Sequence, residues 1–176
     1  MLFTLRPLVL ESQGLAAALN QLCQKTLETH GQQVVARVGP DVEPILDSHQ
    51  QGVIFYIVEE AVGNARKHAE AELISIDIHR RGEVVVVDIA DNGVGFDADA
   101  VNANYDQRGS LGMVNMRERA ELLNGSLSIQ SAEGQGAKIT VVVPAKQTLE
   151  TSRPRKVKSN PALKPVVEPR TPASSS

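Results

Sequence analysis

Two predicted β-hairpins constrain the fold of this chain more than any other feature of its sequence. From Leu73 to Arg80 apolar residues alternate with polar ones, and Arg81-Gly82 marks a tight turn into a β-branched run that ends at Asp91. A second hairpin is predicted from the run SLSIQS, a glycine-containing turn at residues 133–136, and the run AKITVVVP. Each hairpin has one apolar face, which must be buried against another layer.

Helical periodicity predicts three helices that can supply this layer, at residues 14–30, 47–69 and 112–123. We expect Ser12 to cap the first helix, Gly31 to end it, and Asn124-Gly125 to end the third. The apolar stripes of the first two helices are Leu15, Ala18, Leu19, Leu22 and Leu27, and Ile54, Val58, Ala61, Val62 and Ala65. With a strand near Gln33–Val38, this order predicts an α+β two-layer sandwich, with helices on one face of a mainly antiparallel sheet. A doubly wound parallel sheet fits the order less well.

The chain is expected to hold one domain, at residues 14–144, after a lead-in at residues 1–13. Residues 145–176 contain five prolines and seven Lys/Arg against two Asp/Glu, with no apolar periodicity. Such a composition cannot offset the entropy of ordering the chain, so we expect a disordered basic tail.

Charge and cysteine content limit the class of partner and the compartment. Residues 1–144 carry eleven Lys/Arg against nineteen Asp/Glu, and an acidic body argues against a nucleic-acid or membrane-surface partner. Cys23 is the single cysteine, which excludes an intramolecular disulfide and a cysteine-based metal site and fits a reducing cytoplasm. No apolar run approaches the roughly 18 residues of a membrane span, and no signal peptide is recognisable.

Four polar residues share one side of the second predicted helix, opposite its apolar stripe: Glu60, Asn64, Lys67 and His68. An amide oxygen suits Mg²⁺, an ammonium suits phosphate, and a carboxylate can orient or deprotonate a nucleophile. A metal-bound nucleotide could use all of these groups. A solvated helix face would show the same spacing.

Two glycine clusters follow. Asp91 and Asn92 stand at a strand end, before Gly93 and Gly95, where a fixed carboxylate acceptor can recognise the adenine amine and repel the guanine carbonyl. Farther on, residues 109–112 read Gly-Ser-Leu-Gly before a helix, and such a helix start can bind phosphate. An ordinary turn and a simple helix start are the alternatives. Neither cluster is a P-loop or a dinucleotide fingerprint.

Taken in order, the segments EEAVGNARKHA, DNGVGFD and GSLGMVNMRERAELLNGSLSIQSAEGQGAKITVVVP resemble the ATP-binding domain of histidine kinases, whose superfamily also holds gyrase and MutL. The resemblance covers roughly residues 14–144, and MRERAELLNG is similar to the nitrate-sensor-like subfamily of sensor kinases. It implies a Bergerat-type ATP-binding fold, ATP and Mg²⁺ as cofactors, and a dimerisation domain and a response regulator as partners.

Carried over by position, the resemblance makes Glu60 the catalytic acid of the N box and Asn64 the Mg²⁺ ligand, and brings Lys67 and His68 to the phosphates. Asp91 would bind the adenine amine. Residues 102–111 would form a lid, with Gly112 and Met113 as its hinge. The remaining ATP-binding positions would be Gly93, Gly95, Ser110, Gly136 and Ala137, with Gly134 beside the adenine pocket.

Three departures from the family pattern matter. Ser110-Leu111-Gly112 replaces a frequent Gly-x-Gly, and Ala137 replaces a frequent Thr that supports the adenine-binding Asp. A backbone or water contact could replace that hydroxyl. The four histidines, at positions 30, 49, 68 and 79, precede Gly, Gln, Ala and Arg, whereas the family's phosphoacceptor usually precedes Asp or Glu. We therefore expect no autophosphorylation by this chain alone.

The leading hypothesis is a kinase module that transfers the γ-phosphoryl of Mg-ATP to a histidine on a separate dimerisation element, for onward passage to a response regulator. A non-catalytic or truncated ATP-binding regulatory module is the second. The third, an anti-sigma-factor-like serine kinase, matches the segment MRERAELLNG less well.

Overall fold

A computed structural model describes residues 7–97 and 111–146 of the chain. The helices are α1 (Leu8–Gln13), α2 (Leu15–His30), α3 (Ser48–His68) and α4 (Leu111–Leu122), with a 3₁₀ turn at Glu43–Ile45. The strands are β1 (Gln33–Val38), β2 (Leu73–Arg81), β3 (Val84–Asp91), β4 (Ser126–Ser131) and β5 (Ala137–Pro144).

The five strands form one sheet in the order β1-β2-β3-β5-β4. Both predicted hairpins are present: β2 pairs antiparallel with β3, and β4 with β5. The antiparallel pairing of β3 with β5 joins the two hairpins, while β1 adds to β2 as a parallel edge strand. The predicted α+β class with a mainly antiparallel sheet is therefore confirmed.

The core lies between the helices and one face of the sheet. Strand burial alternates as the sequence pattern requires, since Ile74, Ile76 and Ile78 of β2 are each at most 2% exposed. The register aligns Ile76 with Ile89 and Ile78 with Val87, so the apolar residues of both strands share a face. Buried residues of α2, α3 and α4 complete the same cluster, including Leu15, Leu19, Ile54, Ile57, Val58, Met116 and Ala120.

Local signals in the sequence explain where α3 begins and where α2 ends. Asp47 accepts a hydrogen bond from the Gln50 backbone N–H while the Gln50 side chain accepts one from the Asp47 N–H, which makes a capping box. The Gln50 amide also donates to the Pro144 carbonyl at 2.9 Å, which links the start of α3 to the end of β5. Gly31 ends α2 in the left-handed region, as predicted.

The prediction that Ser12 caps α2 is wrong. Ser12 belongs to α1, where its hydroxyl donates to the Leu8 carbonyl, and Gly14 separates the two helices. At the N-terminus of α2 an unpaired backbone N–H is instead satisfied by Glu43, whose Oε1 accepts from the Ala16 N–H at 2.8 Å. Leu27 is also 51% exposed, so the apolar stripe of α2 does not reach its last turn.

Among the described residues, no helix combines the length and apolarity that crossing a membrane requires. The expected disordered tail lies outside the described residues from position 147 onward.

Candidate functional site

The candidate site is built from three parts: the second half of α3, the loop after β3 with the turn between β4 and β5, and the first turn of α4. Glu60 is exposed and Asn64 half-buried on α3, one turn apart. Lys67 and His68 occupy the last turn of the same helix and are exposed. The four residues keep the polar face that the sequence predicts, because the opposite face of α3 supplies much of the core.

The start of α4 lies directly against this polar face. A Cβ atom added to Gly112 would come within 2.3 Å of Glu60 Oε1 and 3.0 Å of Asn64 Nδ2. A glycine is therefore what allows the helix start to approach both side chains so closely. Met113, the next residue, is partly buried against the core. Ser110 and the predicted lid up to that position lie outside the described residues.

Asp91 ends β3 with one carboxylate oxygen held by the backbone. Its Oδ1 accepts from the Gly93 N–H at 2.9 Å and from the Ala137 N–H at 3.3 Å. Ala137, which stands where the family pattern frequently has Thr, thus contacts the carboxylate through its backbone N–H. No group within residues 7–97 and 111–146 donates a hydrogen bond to Oδ2. Asp91 therefore presents a fixed carboxylate whose second oxygen has no donor among the described residues, and recognition of an exocyclic amine needs such an acceptor.

Three glycines allow backbone segments to lie in contact around Asp91. A Cβ added at Gly93 would lie 2.0 Å from the Ala69 carbonyl oxygen, so this loop rests on the end of α3. A Cβ at Gly136, where φ is +72°, would lie 2.1 Å from the Asp91 carbonyl oxygen. At Gly95 the obstructing atom is a carbonyl oxygen of the β4–β5 turn. Backbone atoms of the loop after β3 and of the β4–β5 turn therefore lie close together beside Asp91.

Three further hydrogen bonds connect the loop after β3, the last residue of β4 and the β4–β5 turn. The Gly134 N–H donates to the Val94 carbonyl at 2.6 Å. Ser131 accepts from the Phe96 N–H at 2.9 Å and donates to the Gly136 carbonyl at 2.8 Å. Sequence analysis did not single out Ser131. Its signal is a hydroxyl at the inward position of β4, in the same alternation as Leu127 and Ile129, directly before a glycine-containing turn.

A second carboxylate on α3 has a perturbed environment. Burial raises the pKa of Glu59, and the neighbouring Glu60 raises it further, while Lys25 and Arg119 lower it. Arg119 of α4 also lies over the Tyr56 ring, 5.1 Å from its centroid, which fastens α4 to α3. Glu59 is therefore a partly buried charge next to the predicted catalytic acid.

The residues present fit a magnesium-bound adenine nucleotide. Among the described residues no three His, Cys, Asp or Glu side chains converge as a self-sufficient metal site. Magnesium in nucleotide sites takes only one or two protein oxygens and completes its shell with phosphates and water. Asn64 on α3 can supply such an oxygen, and Asp91 Oδ2, which has no donor among the described residues, can accept from adenine.

The sequence and the fold are both similar to those of known proteins. Residues 49–147 match the family model described as histidine kinase-, DNA gyrase B-, and HSP90-like ATPase. The chain is 41% identical over 146 residues to an uncharacterized sensor-like histidine kinase of Chloroflexus aurantiacus. This match covers 82% of the chain but only 24% of the relative, so the chain spans about a quarter of that protein's length.

Two solved structures have a similar fold. One is the histidine kinase domain of a blue-light activated histidine kinase from Erythrobacter litoralis, with a TM-score of 0.61 and 22% identity. The match covers 76% of this chain and 62% of that one. The other is a second structure of the Erythrobacter litoralis kinase, with a TM-score of 0.58, 20% identity, and coverage of 74% and 41%. Both similarities concern the fold.

Proposed function

The chain belongs to the histidine kinase-, DNA gyrase B- and HSP90-like ATPase family, and on that premise we propose that it is the ATP-binding catalytic module of a sensor histidine kinase. In this role it binds Mg-ATP and passes the γ-phosphoryl group to a histidine on a separate dimerisation element. A response-regulator aspartate then receives the phosphoryl group. The module acts in the cytoplasm.

The observation that carries the proposal is the hydrogen bonding of the Asp91 carboxylate. Two backbone N–H groups hold Oδ1, and the same carboxylate has Oδ2 free of donors from the described residues. A carboxylate held in this way accepts from the adenine amine but opposes the guanine carbonyl. This predicts selectivity for ATP over GTP.

The remaining parts supply the phosphate side of the site. Bound Mg²⁺ would neutralise charge on the triphosphate during transfer. Asn64 offers its amide oxygen to the ion, and Glu60 orients the attacking nucleophile or accepts its proton. Lys67 and His68 attract phosphate oxygens from the last turn of α3. Gly112 keeps the start of α4 close to Glu60 and Asn64, so that its N–H groups face the same region.

Calorimetric titration with Mg-ATP and Mg-GTP tests the nucleotide site. Asp91→Asn turns the free acceptor into a donor, so ATP affinity should fall at least about thirtyfold while the preference over GTP is lost. Asp41→Asn is the matched control, because Asp41 is exposed and makes no hydrogen bond or ion pair to a described residue.

Asn64→Ala should make ATP binding insensitive to Mg²⁺, whereas Asn20→Ala on the exposed face of α2 should not. A folded chain that binds no ATP would overturn the proposal.

A second candidate function is an ATP-binding module without turnover. It is favoured because no histidine of the sequence precedes Asp or Glu, as the family's phosphoacceptor usually does. The described ones, at positions 30, 49, 68 and 79, are followed by Gly, Gln, Ala and Arg. Incubation with ATP and cognate dimerisation helices supplied in trans separates the two functions. Acid-labile phosphohistidine on the supplied helices supports the kinase module. ATP binding without such a product supports the regulatory module.

A further inference from the structure

Ser131, the last residue of β4, joins the two backbone segments that flank Asp91. We propose that Ser131 is a positioning residue for adenine recognition, holding the donors that orient the Asp91 carboxylate. The inference rests on the proposed function, since it assigns a role within the same nucleotide site. It also explains how a chain with Ala137 can orient Asp91 without a hydroxyl at that position.

The sheet register brings Ser131 close to the carboxylate. Asp91 is aligned with Ala137 on β5, and Ala137 with Ser131 on β4. Aligned residues on neighbouring strands point to the same face of a sheet. Asp91, Ala137 and Ser131 therefore form one row on the helix-covered face, at the edge of the sheet where the glycine loop and the β4–β5 turn meet.

The Ser131 hydroxyl contacts both segments that supply donors to Asp91 Oδ1. It accepts from the Phe96 N–H at 2.9 Å, in the loop that contains Gly93. It donates to the Gly136 carbonyl at 2.8 Å, and that residue directly precedes Ala137. Since the N–H groups of Gly93 and Ala137 are the two donors to Oδ1, one hydroxyl holds both of their segments.

Removal of the hydroxyl should affect recognition more than folding. Ser131→Ala leaves the Phe96 N–H and the Gly136 carbonyl without their partner, so the loop and the turn can separate. The donors to Oδ1 then shift, and the carboxylate loses its fixed orientation. We expect ATP affinity to fall about tenfold and the preference for ATP over GTP to narrow, because the carboxylate can turn away from the guanine carbonyl.

The test compares the wild-type chain with Ser131→Ala, Ser131→Thr and Ser128→Ala in titrations with Mg-ATP and Mg-GTP. Ser128→Ala is the matched control, since it makes the same change on the same strand but at an exposed position. Ser131→Thr keeps the hydroxyl and should restore both ATP affinity and the ATP/GTP ratio. A role in folding alone would lower the melting temperature of Ser131→Ala without changing that ratio.

The outcomes separate this inference from the proposed function. No ATP binding by the folded wild-type chain overturns the proposed function. Wild-type binding with an unchanged ATP/GTP ratio in Ser131→Ala overturns the role of Ser131 alone. If Ser131→Ala does not fold, Ser131→Cys keeps the volume with a weaker donor and should bind ATP with intermediate affinity. Hydrogen exchange needs no variant: a Phe96 amide that exchanges as freely as an exposed loop overturns the proposal.

Discussion

Gly95 and Gly82 have almost the same φ angle but different surroundings. Their φ angles are +64° and +63°. A Cβ at Gly95 would lie 2.0 Å from the Ala132 carbonyl oxygen, whereas a Cβ at Gly82 would meet no atom within 4 Å. The pair therefore separates the cost of a left-handed backbone from the cost of a steric overlap.

Gly82→Ala should lower the free energy of unfolding by about 1 kcal/mol, the cost of placing an L-residue in the left-handed region. Gly95→Ala should lower it by at least about 3 kcal/mol, because a backbone carbonyl must move as well. Urea unfolding measures both values. Equal destabilisation by the two substitutions would contradict the close approach of the glycine loop to the β4–β5 turn.

Two helical glycines provide a second contrast, near Glu60 and Asn64. A Cβ added to Gly63 in α3 meets nothing within 4 Å, while one added to Gly112 reaches Glu60 Oε1 at 2.3 Å. Gly63→Ala should raise the free energy of unfolding by about 0.5–1 kcal/mol through helix propensity and leave Mg-ATP affinity unchanged. Gly112→Ala should displace Glu60 and Asn64 and weaken Mg-ATP binding about tenfold. Wild-type affinity in Gly112→Ala, measured by titration, would argue against contact between α4 and these side chains.

At the residue scale, the sequence identified the candidates but not all of their partners. Asp91 and the surrounding glycines stand out because each residue type is suited to its task, and the structure brings them together. Their roles in binding stay predictions. Ser131 was missed because its two partners are backbone groups, one of them 35 positions away in the chain. Such a contact leaves no spacing pattern within a single segment.

At the scale of elements, helix and strand patterns succeeded where the signal is local. The predicted start of α3 near residue 47, the glycine that ends α2 and the alternating strands all depend on neighbouring residues. The prediction of the residue that caps α2 was wrong because the true acceptor is distant in sequence. Its capping acceptor is Glu43, 27 positions beyond the Ala16 N–H that it serves, so the nearby Ser12 was an incorrect choice.

Helix α3 carries a charge that opposes folding. Burial is the main cause that raises the pKa of Glu59, so the folded chain holds a proton there more readily than the unfolded chain does. The ionised carboxylate therefore destabilises the fold at neutral pH, and the penalty disappears as pH falls below the unfolded value of about 4.3. Glu59→Gln should raise the melting temperature by roughly 1–3 °C at pH 7 and leave it unchanged near pH 4.

Glu121→Gln on α4 is the control for this prediction, since Glu121 is exposed. It should change the melting temperature little at either pH. Calorimetric melting of both variants across this pH range provides the measurement. Destabilisation by Glu59→Gln at pH 7 would mean that attraction from Lys25 and Arg119 outweighs the burial of Glu59.

At the scale of the whole molecule, alternation within strands predicted the packing of helices on one face of the sheet but not every pair of neighbouring strands. Each hairpin pairs residues that are close in sequence, which a turn signal can reveal. The parallel pairing of β1 with β2 joins segments on either side of α3, and no local pattern specifies it. The position of β1 in the sheet is therefore determined by packing in the core, where α2 contacts β1 and α3 contacts β2 and β3.

The face of the sheet opposite the core contains a carboxylate whose effect on stability is opposite to that of Glu59. Burial favours protonation of Asp88, but hydrogen bonds from Thr140 and Lys138 outweigh it, so the pKa of Asp88 is lowered. Thr140 donates at 2.6 Å and the Lys138 ammonium lies at 3.2 Å, which ties β5 to β3 at the centre of the sheet. A lowered pKa stabilises the fold at pH values above about 4, and the gain is lost as acid protonates the folded chain.

Asp88→Asn should therefore lower the free energy of unfolding by about 1 kcal/mol at pH 7, since an amide can still accept from Thr140 but cannot pair with Lys138. The difference from wild type should shrink toward zero as pH falls through the lowered pKa of Asp88, because the native carboxyl is then neutral as well. Urea unfolding from pH 7 down to about pH 2.5 measures this convergence, and Asp41→Asn should follow the wild-type curve throughout. A difference that stays constant with pH would show that Asp88 acts through its shape and hydrogen bonds and that its charge contributes nothing to the stability of the sheet.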